Sequence, residues 1–371
     1  MSESLAAQDV SEVWREPPRG GLVDPRLFGL PGLDQLRASI RMQGPIPPIA
    51  RLTGMRFLDV GPGTSTFTMP ATGWLLAPQG VIPSGVLLIL ADAALGSAVQ
   101  TELGPATPYT TQELSLSSLR PATAASGLLT ARARLVSAGR RLGLSEVTVE
   151  DERGRLLAHG TTRCFVFPPV TPVPEPPEGL DPLPVPDDLD SDPYLRPVQG
   201  AVLPQDVWDR KSGLDILRSH VAGELPAPPL HHLLGCRPVA AEEGGATFVL
   251  PCTGWLASPV GMVEGGVIAA IADLALGAAV QTTIPAATAF APFDLKVNFL
   301  RPVPPDGRDL TARGEVVHRG RTVAVARAEV VNADGRRVAL ATGSAMILPD
   351  RPASIARPVD PSEEGAGATE G

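Results

Sequence analysis

The sequence predicts an α+β fold that is built twice in one chain of 371 residues. First, the segment TGWLLAPQGVIPSGVLLILADAALGSAVQT begins at Thr72, and TGWLASPVGMVEGGVIAAIADLALGAAVQT begins 181 positions later at Thr253. Second, each copy carries a long helix that is apolar nearly all round, which is typical of a helix wrapped by other structure. Third, alternating segments typical of antiparallel strands follow each helix. One buried helix followed by an antiparallel meander is an α+β unit.

Two copies at this long period predict two complete domains that pair as a pseudo-dimer, and not a solenoid of short units. We divide the chain into an N-terminal extension, a first domain, a proline-rich acidic linker, a second domain and a flexible C-terminal tail, at residues 1–32, 33–168, 169–212, 213–349 and 350–371. We expect the linker to be extended and solvated, and both chain ends, up to about Pro25 and from about Asp350, to be mobile.

The elements follow the same order in each unit. A short amphipathic helix comes first, with the sequence LDQLRASI in the first copy and LDILRSHV in the second. Strands follow, and then the long apolar helix. The last part consists of strands with period-two alternation, such as TARARLV, EVTVE and TVAVARAEVV, separated by Gly-Arg and Asp-Gly turns. We expect the two central helices to lie side by side, with their strands in one or two continuous sheets.

Charge and composition limit the class of partner. A net charge of −9 with no basic block, together with 4% aromatic residues, disfavours binding to nucleic acid. The acidic N-terminus does not resemble a secretory signal, and the longest apolar run, Gly85 to Val99, is too short to span a bilayer. Cys164, Cys236 and Cys252 show no paired ligand spacing. We therefore expect a cytoplasmic protein with no membrane partner, no disulfide framework and no metal site.

Each apolar helix carries one carboxylate at its centre. Asp92 and Asp273 stand where an unpaired carboxylate is costly to bury. Gly85 and Gly266 lie seven residues earlier on the same helix face, which leaves room for a ligand or a closely passing strand. The alternative is a buried aspartate that only satisfies a neighbouring strand or helix end.

The order of these motifs resembles the hotdog fold. In each unit of this chain, a glycine or glycine pair begins a long apolar helix with one Asp two turns in. A strand ending in LRP or FLRP follows, and then two alternating strands joined by a Gly-Arg turn. Within that fold, both units resemble the thioesterases of the phenylacetic-acid pathway, which hydrolyse acyl-CoA. The second copy has Glu264 where that family usually has the His of His-Gly-Gly, and the first copy has Pro83-Ser84-Gly85.

The resemblance implies an acyl-CoA thioesterase without a cofactor, since CoA is part of the substrate. A thioester carbonyl becomes an oxyanion when it is attacked, and a free backbone N–H at a helix N-terminus stabilises that charge. A nearby carboxylate can act as a general base on water or attack directly.

In the resembled family the site lies across the dimer seam, with the Asp of one unit facing the helix start of the other. Carried over to this chain, the resemblance implies two unequal sites. The expected competent site comprises Asp92, Thr111, Ser258, Gly265 and Gly266. The expected degenerate site comprises Asp273, Ser84 and Gly85, with Ala77 and Pro292 in place of Ser258 and Thr111.

Several questions remain open at this point. Four turn arginines are candidate phosphate contacts for CoA or simply solvated side chains, namely Arg120, Arg140, Arg301 and Arg321. The chain is a thioesterase with one working site, or a non-catalytic double-hotdog module that binds an acyl thioester or a protein partner. A hotdog dehydratase is less favoured, because no Asp and His pair of the required kind is visible. The acyl chain, the choice between CoA and a carrier protein, and further assembly into a homo-oligomer are left undetermined.

Overall fold

The computed structural model describes residues 12–41, 43–179, 181–349 and 351–355. Its strands are β1 (Arg56–Gly61), β2 (Thr64–Pro70), β3 (Tyr109–Ser118), β4 (Leu128–Ala138), β5 (Leu142–Glu150), β6 (Leu156–Val166), β7 (Arg237–Glu242), β8 (Gly245–Pro251), β9 (Ala289–Phe299), β10 (Asp309–Arg319), β11 (Val323–Val331) and β12 (Arg337–Leu348). Its α-helices are α1 (Gly32–Ile40), α2 (Pro48–Thr53), α3 (Ser84–Gln100), α4 (Gln205–Arg210), α5 (Gly213–Val221), α6 (Pro229–Leu234) and α7 (Gly265–Gln281).

These strands form one antiparallel sheet, and the two units meet at its centre. The strand order is β1-β2-β4-β5-β6-β3-β9-β12-β11-β10-β8-β7, which reads the same from either end once the two units are equated. At the centre β3 pairs with β9, from Glu113 opposite Asn298 to Ser117 opposite Asp294. The predicted α+β fold class, with two hotdog units joined in a continuous sheet, is therefore confirmed.

The central helices α3 and α7 lie side by side against this sheet and are buried along nearly their whole length. They run in opposite directions and touch near their N-termini. A Cβ atom on Gly85 would clash with the backbone of Ala270, and one on Gly266 would clash with the backbone of Ile89. Glycine at these two positions therefore serves the close approach of the helices.

The residues before the first unit form an arm that packs on the second unit. We name residues 12–23 the first arm. Val13 is buried in the core, and the Glu16 carbonyl accepts a hydrogen bond of 2.9 Å from Trp255 Nε1. The prediction of a mobile N-terminus is therefore wrong for this arm, while residues 1–11 lie outside the described residues.

The predicted linker carries a second arm, which packs on the first unit in the same way. We name residues 192–203 the second arm. Its Arg196 carbonyl accepts a hydrogen bond of 3.0 Å from Trp74 Nε1, which matches the bond between Glu16 and Trp255. The expectation of a solvated segment is wrong here, because the two units exchange their arms.

A buried ion pair connects the second arm to α2. Asp192 is 0% exposed, and its Oδ1 lies 2.7 Å from Arg51 Nη2, which belongs to a side chain that is 3% exposed. The arms also contact each other, because Arg196 Nη1 lies 2.6 Å from Glu16 Oε1 and Arg19 Nη2 lies 3.5 Å from Asp192 Oδ1. The seam between the units is therefore held by the sheet, the helices and the arms together.

Part of the predicted C-terminal tail is also packed. The Ser354 N–H donates to Gln205 Oε1 over 2.8 Å. Residue 350 and residues 356–371 lie outside the described residues, and the domain boundaries stay predictions. Within the described part of the chain, no helix is both long enough and apolar enough to cross a membrane.

Candidate active site

Asp92 lies at the seam, where the middle of α3 passes the start of α7. Its side chain is buried, with the residue 6% exposed. Oδ1 accepts a hydrogen bond of 3.0 Å from Thr111 Oγ1 on β3, and Oδ2 accepts one of 3.0 Å from the Gly266 N–H. The Asp of one unit thus meets the helix start of the other, as the resemblance implies. We call this place the first seam site.

The Gly265 N–H is the free donor at this site. It lies in the first turn of α7, where N–H groups have no partner within the helix, and it donates to no other residue among those described. A Cβ atom at Gly265 would lie 2.5 Å from Asp92 Oδ2, so the backbone here is adjacent to the carboxylate. The Gly266 N–H is already bonded to Asp92, and therefore only one of the two predicted oxyanion donors is available.

A second carboxyl group belongs to the first seam site. Glu264 is the N-cap residue of α7 and is 9% exposed. Burial raises the pKa of Asp92 to about 6, although the hydrogen bonds from Thr111 and Gly266 oppose the rise. Burial and the negative charge of Asp92 raise the pKa of Glu264 to about 8. Two neighbouring buried carboxyls with such pKa values hold one proton between them near neutral pH.

Tyr109 and Cys164 complete the first seam site, and sequence reasoning missed both. The Tyr109 hydroxyl donates to Gln100 Oε1 over 3.2 Å, and desolvation raises its pKa well above the usual value. Cys164 on β6 is paired with Thr111 on β3, and burial raises the pKa of its thiol to about 12. A comparison of the two copies at a spacing of 181 positions would have singled both residues out, because their counterparts carry no polar group.

The second seam site keeps the backbone geometry of the first but loses most of its polar groups. Asp273 Oδ2 accepts a hydrogen bond of 2.7 Å from the Gly85 N–H, and burial raises the pKa of Asp273 to about 6. The Ser84 hydroxyl is paired with that of Ser118 at 2.8 Å. The counterparts of Glu264, Tyr109, Thr111 and Cys164 are Pro83, Phe290, Pro292 and Ala345.

The predicted site residue Ser258 lies in a turn just before α7. Its N–H donates to the Met262 carbonyl over 2.8 Å, and the Ala77 N–H makes the equivalent bond of 2.9 Å to Val81. The Ser258 side chain is buried, but the described residues include no hydrogen bond from it to Asp92. The structure therefore does not join Ser258 to the carboxylate.

The four candidate arginines are exposed, and the fold divides them into two pairs. Arg301 follows β9, whose Phe299 ring would lie 3.7 Å from a Cβ atom on Gly265. Arg140 lies in the turn between β4 and β5, close to Gly143, which pairs with Cys164. These two arginines are therefore at the end of the sheet that holds the first seam site. By the repeat, Arg120 and Arg321 are at the end that holds the second.

Comparison with known proteins places this architecture among thioesterases. The thioesterase superfamily model matches the chain twice, at residues 79–158 and 260–339. A protein of Saccharolobus solfataricus, provisionally described as an esterase, is 31% identical over 122 residues, which make up 33% of this chain and 85% of that protein.

Two solved structures share the fold over most of the chain. A tesB protein of Mycobacterium avium subs paratuberculosis matches with a TM-score of 0.50 and 15% identity, over 81% of this chain and 98% of its own. A conserved protein of unknown function with a hot dog fold, from Alicyclobacillus acidocaldarius, matches with a TM-score of 0.50 and 14% identity, over 81% of this chain and 98% of its own.

Proposed function

The chain belongs to the thioesterase superfamily, and we propose that it hydrolyses acyl-CoA thioesters at the first seam site. One observation carries the proposal. Asp92, held by Thr111 and Gly266, lies against the backbone of Gly265, whose N–H donates to no residue among those described. A carboxylate next to an unoccupied donor at a helix N-terminus can supply a general base and an oxyanion donor for thioester hydrolysis.

Asp92 acts as the general base in this proposal. Its two oxygens are fixed by hydrogen bonds, so the carboxylate is oriented before the substrate arrives. A water molecule gives one proton to Asp92 while the oxygen of that water forms a bond to the thioester carbonyl carbon. Because the pKa of Asp92 is raised to about 6, the group is ionised at neutral pH and is still a useful base.

The Gly265 N–H receives the charge that then develops on the carbonyl oxygen. The positive end of the α7 dipole supports the same oxyanion. When the intermediate collapses, the C–S bond breaks, the carboxylic acid forms and the thiolate leaves. One such donor is typically worth about 3 kcal/mol in the transition state.

Arg301 and Arg140 are the side chains that we assign to the phosphates of CoA. Both are exposed at the end of the sheet that holds the first seam site, and a guanidinium fork suits phosphate. We also propose that the reaction takes place in the cytoplasm. This proposal is supported by the three cysteines, which are buried as free thiols.

A turnover assay with a binding control tests the proposal. The full chain would be mixed with acetyl-CoA, octanoyl-CoA and benzoyl-CoA, and the release of free thiol would be followed. We expect catalytic release from at least one ester of this panel. Binding of these esters without thiol release would instead support the non-catalytic double-hotdog module.

A further inference from the structure

Glu264 has a side chain for which the protein supplies no partner. Its backbone is fixed, because its N–H donates to Leu256 O over 3.0 Å and its carbonyl accepts from the Val267 N–H over 3.0 Å. Its carboxyl makes no hydrogen bond or ion pair with any residue that the structure describes, although the residue is more than nine-tenths buried. An unpartnered carboxyl in such a place is costly unless it is neutral or meets a ligand.

The groups around Glu264 favour its neutral form. Asp92 on α3 is an anion that faces it, and Tyr109 on β3 lies close to both carboxyls. Cys164 on β6 is paired with Thr111, and burial together with the charge of Asp92 raises the pKa of its thiol, so it stays protonated. None of these neighbours is a cation. Asp92 has two donors that stabilise its charge, whereas Glu264 has none, so the shared proton resides on Glu264.

We propose that Glu264 is the general acid of the reaction and protonates the sulfur of the departing thiolate. The inference rests on the proposed function and deepens it. Water gives one proton to Asp92, and Glu264 gives its own proton to the sulfur as the C–S bond breaks. The free acid and the thiol leave, after which the proton on Asp92 passes to Glu264 and the starting state returns.

The second seam site lacks this group. Pro83 stands at the position equivalent to Glu264, so the seam site around Asp273 has a base but no acid. The two sites therefore differ in the step that protonates the leaving sulfur.

The leaving group supplies the direct test. The acyl group that the full chain cleaves fastest would be presented as its CoA thioester and as its 4-nitrothiophenyl ester, and kcat/KM would be measured for the parent and for Glu264→Gln. An alkyl thiolate is basic and gains from protonation, whereas an aryl thiolate leaves without help. We expect a loss of about 100-fold for the CoA ester and less than about 3-fold for the aryl ester, on the scale of a missing general acid.

Two further variants keep the outcome decisive. Glu264→Asp retains a carboxylic acid and is expected to recover part of the lost activity on the CoA ester. Asp92→Asn is expected to lose activity on both esters alike, because water attack is common to them. The parent profile of kcat/KM against pH should fall above about 8, where Glu264 ionises, and Glu264→Gln should lack that fall.

Equal losses of Glu264→Gln on both esters, or an unchanged rate on the CoA ester, would overturn the acid role. A profile that still falls above pH 8 in the variant would do the same. These failures differ from that of the proposed function, in which the parent itself releases no thiol.

Discussion

At the scale of single residues, Asp92 and Asp273 show how the same burial leads to different chemistry. Burial raises the pKa of each to about 6, and each accepts a backbone hydrogen bond from the opposite helix start. Only Asp92 has a second donor, Thr111, because Pro292 has no hydroxyl at the equivalent place. The two carboxylates are therefore equally buried, but Asp92 accepts two hydrogen bonds and Asp273 accepts one.

Thr111→Val should shift the acid side of the pH profile upward. The Thr111 hydroxyl bonds to the charged form of Asp92 and lowers its pKa, so removing it favours the protonated form. Hydrogen bonds to charged groups contribute about 1.5 kcal/mol or more, which corresponds to about one pH unit. The measurement is kcat/KM against pH, in which the rising limb should move to higher pH. Thr110→Val, at an exposed neighbouring position, is the control, and an unmoved limb in Thr111→Val would contradict this role.

Arg301→Ala should weaken the use of CoA esters more than Arg120→Ala. The two arginines are equivalent in the repeat, but only Arg301 lies at the end of the sheet that holds the first seam site. Loss of one phosphate contact should raise KM roughly 10-fold, on the scale of a charge-assisted hydrogen bond, with little change in kcat. The measurement is the steady-state KM and kcat of both variants on the CoA ester that the parent cleaves fastest. If Arg120→Ala raises KM as much, the assignment of the phosphate contacts is wrong.

The residues of the first seam site could be predicted only in part. Asp92 and Gly266 follow from the motif of the apolar helix, and Thr111 follows from the resemblance to the thioesterase family. Tyr109 and Cys164 differ from their counterparts Phe290 and Ala345, but their closeness to Asp92 depends on how β3 and β6 pair and pack, which the sequence does not show. Glu264 was visible as a departure from the usual His, but its closeness to Asp92 depends on how the helices cross.

At the scale of elements, the two helix starts differ in what they can accommodate. The start of α7 carries Gly265 against Asp92, whereas the start of α3 carries Ser84, whose hydroxyl turns to Ser118. The sequence predicts that a glycine pair serves the substrate. In the structure Gly85 and Gly266 serve the packing of the helices, and Gly265 is the glycine that we propose for the substrate.

Gly265→Ala should impair the rate, while Ser84→Ala should be nearly silent. The added methyl group would press on Asp92 Oδ2, displacing the carboxylate and blocking the free N–H. A loss of about 100-fold in kcat is expected, on the scale of one oxyanion donor. Both variants would be assayed for thiol release, with thermal melting to show that each is folded. Damage from Ser84→Ala with an intact Gly265→Ala would mean that the working site is the other one.

At the scale of the whole molecule, the exchanged arms join the two units to each other. The first arm covers the second unit, the second arm covers the first, and the arms touch through Arg196 and Glu16. The proline content predicts an extended, solvated linker, whereas the second arm packs on the first unit and includes a short 3-10 helix at Pro193–Leu195. The arms also repeat in the sequence, but Glu16 and Arg196 are 180 positions apart, whereas the two units repeat at a spacing of 181. The similarity of the arms is therefore not seen when the two copies are aligned at 181 positions.

Asp192→Ala should destabilise the whole chain without changing the chemistry. It removes the fully buried partner of Arg51 and leaves that guanidinium only the half-exposed Asp188, whose Oδ1 lies 2.8 Å from Nη2. A lost hydrogen bond between charged groups typically costs about 2 kcal/mol. Asp206→Ala is the control, because the Asp206 and Arg210 pair is exposed and should contribute less than about 1 kcal/mol. Unfolding by denaturant measures the free energy of unfolding of the parent and of both variants. Equal stabilities of the two variants would show that the second arm is not fastened as described.

The central claim is one working site per chain, and it is tested most directly by a matched pair of substitutions. Asp92→Asn and Asp273→Asn change equivalent residues that share burial and a backbone partner, so any effect on folding should be similar. We predict that thiol release from the best acyl-CoA falls by roughly 100-fold or more in Asp92→Asn, on the scale of a lost general base, and changes little in Asp273→Asn. Equal losses in the two variants, or a larger loss in Asp273→Asn, would contradict the claim.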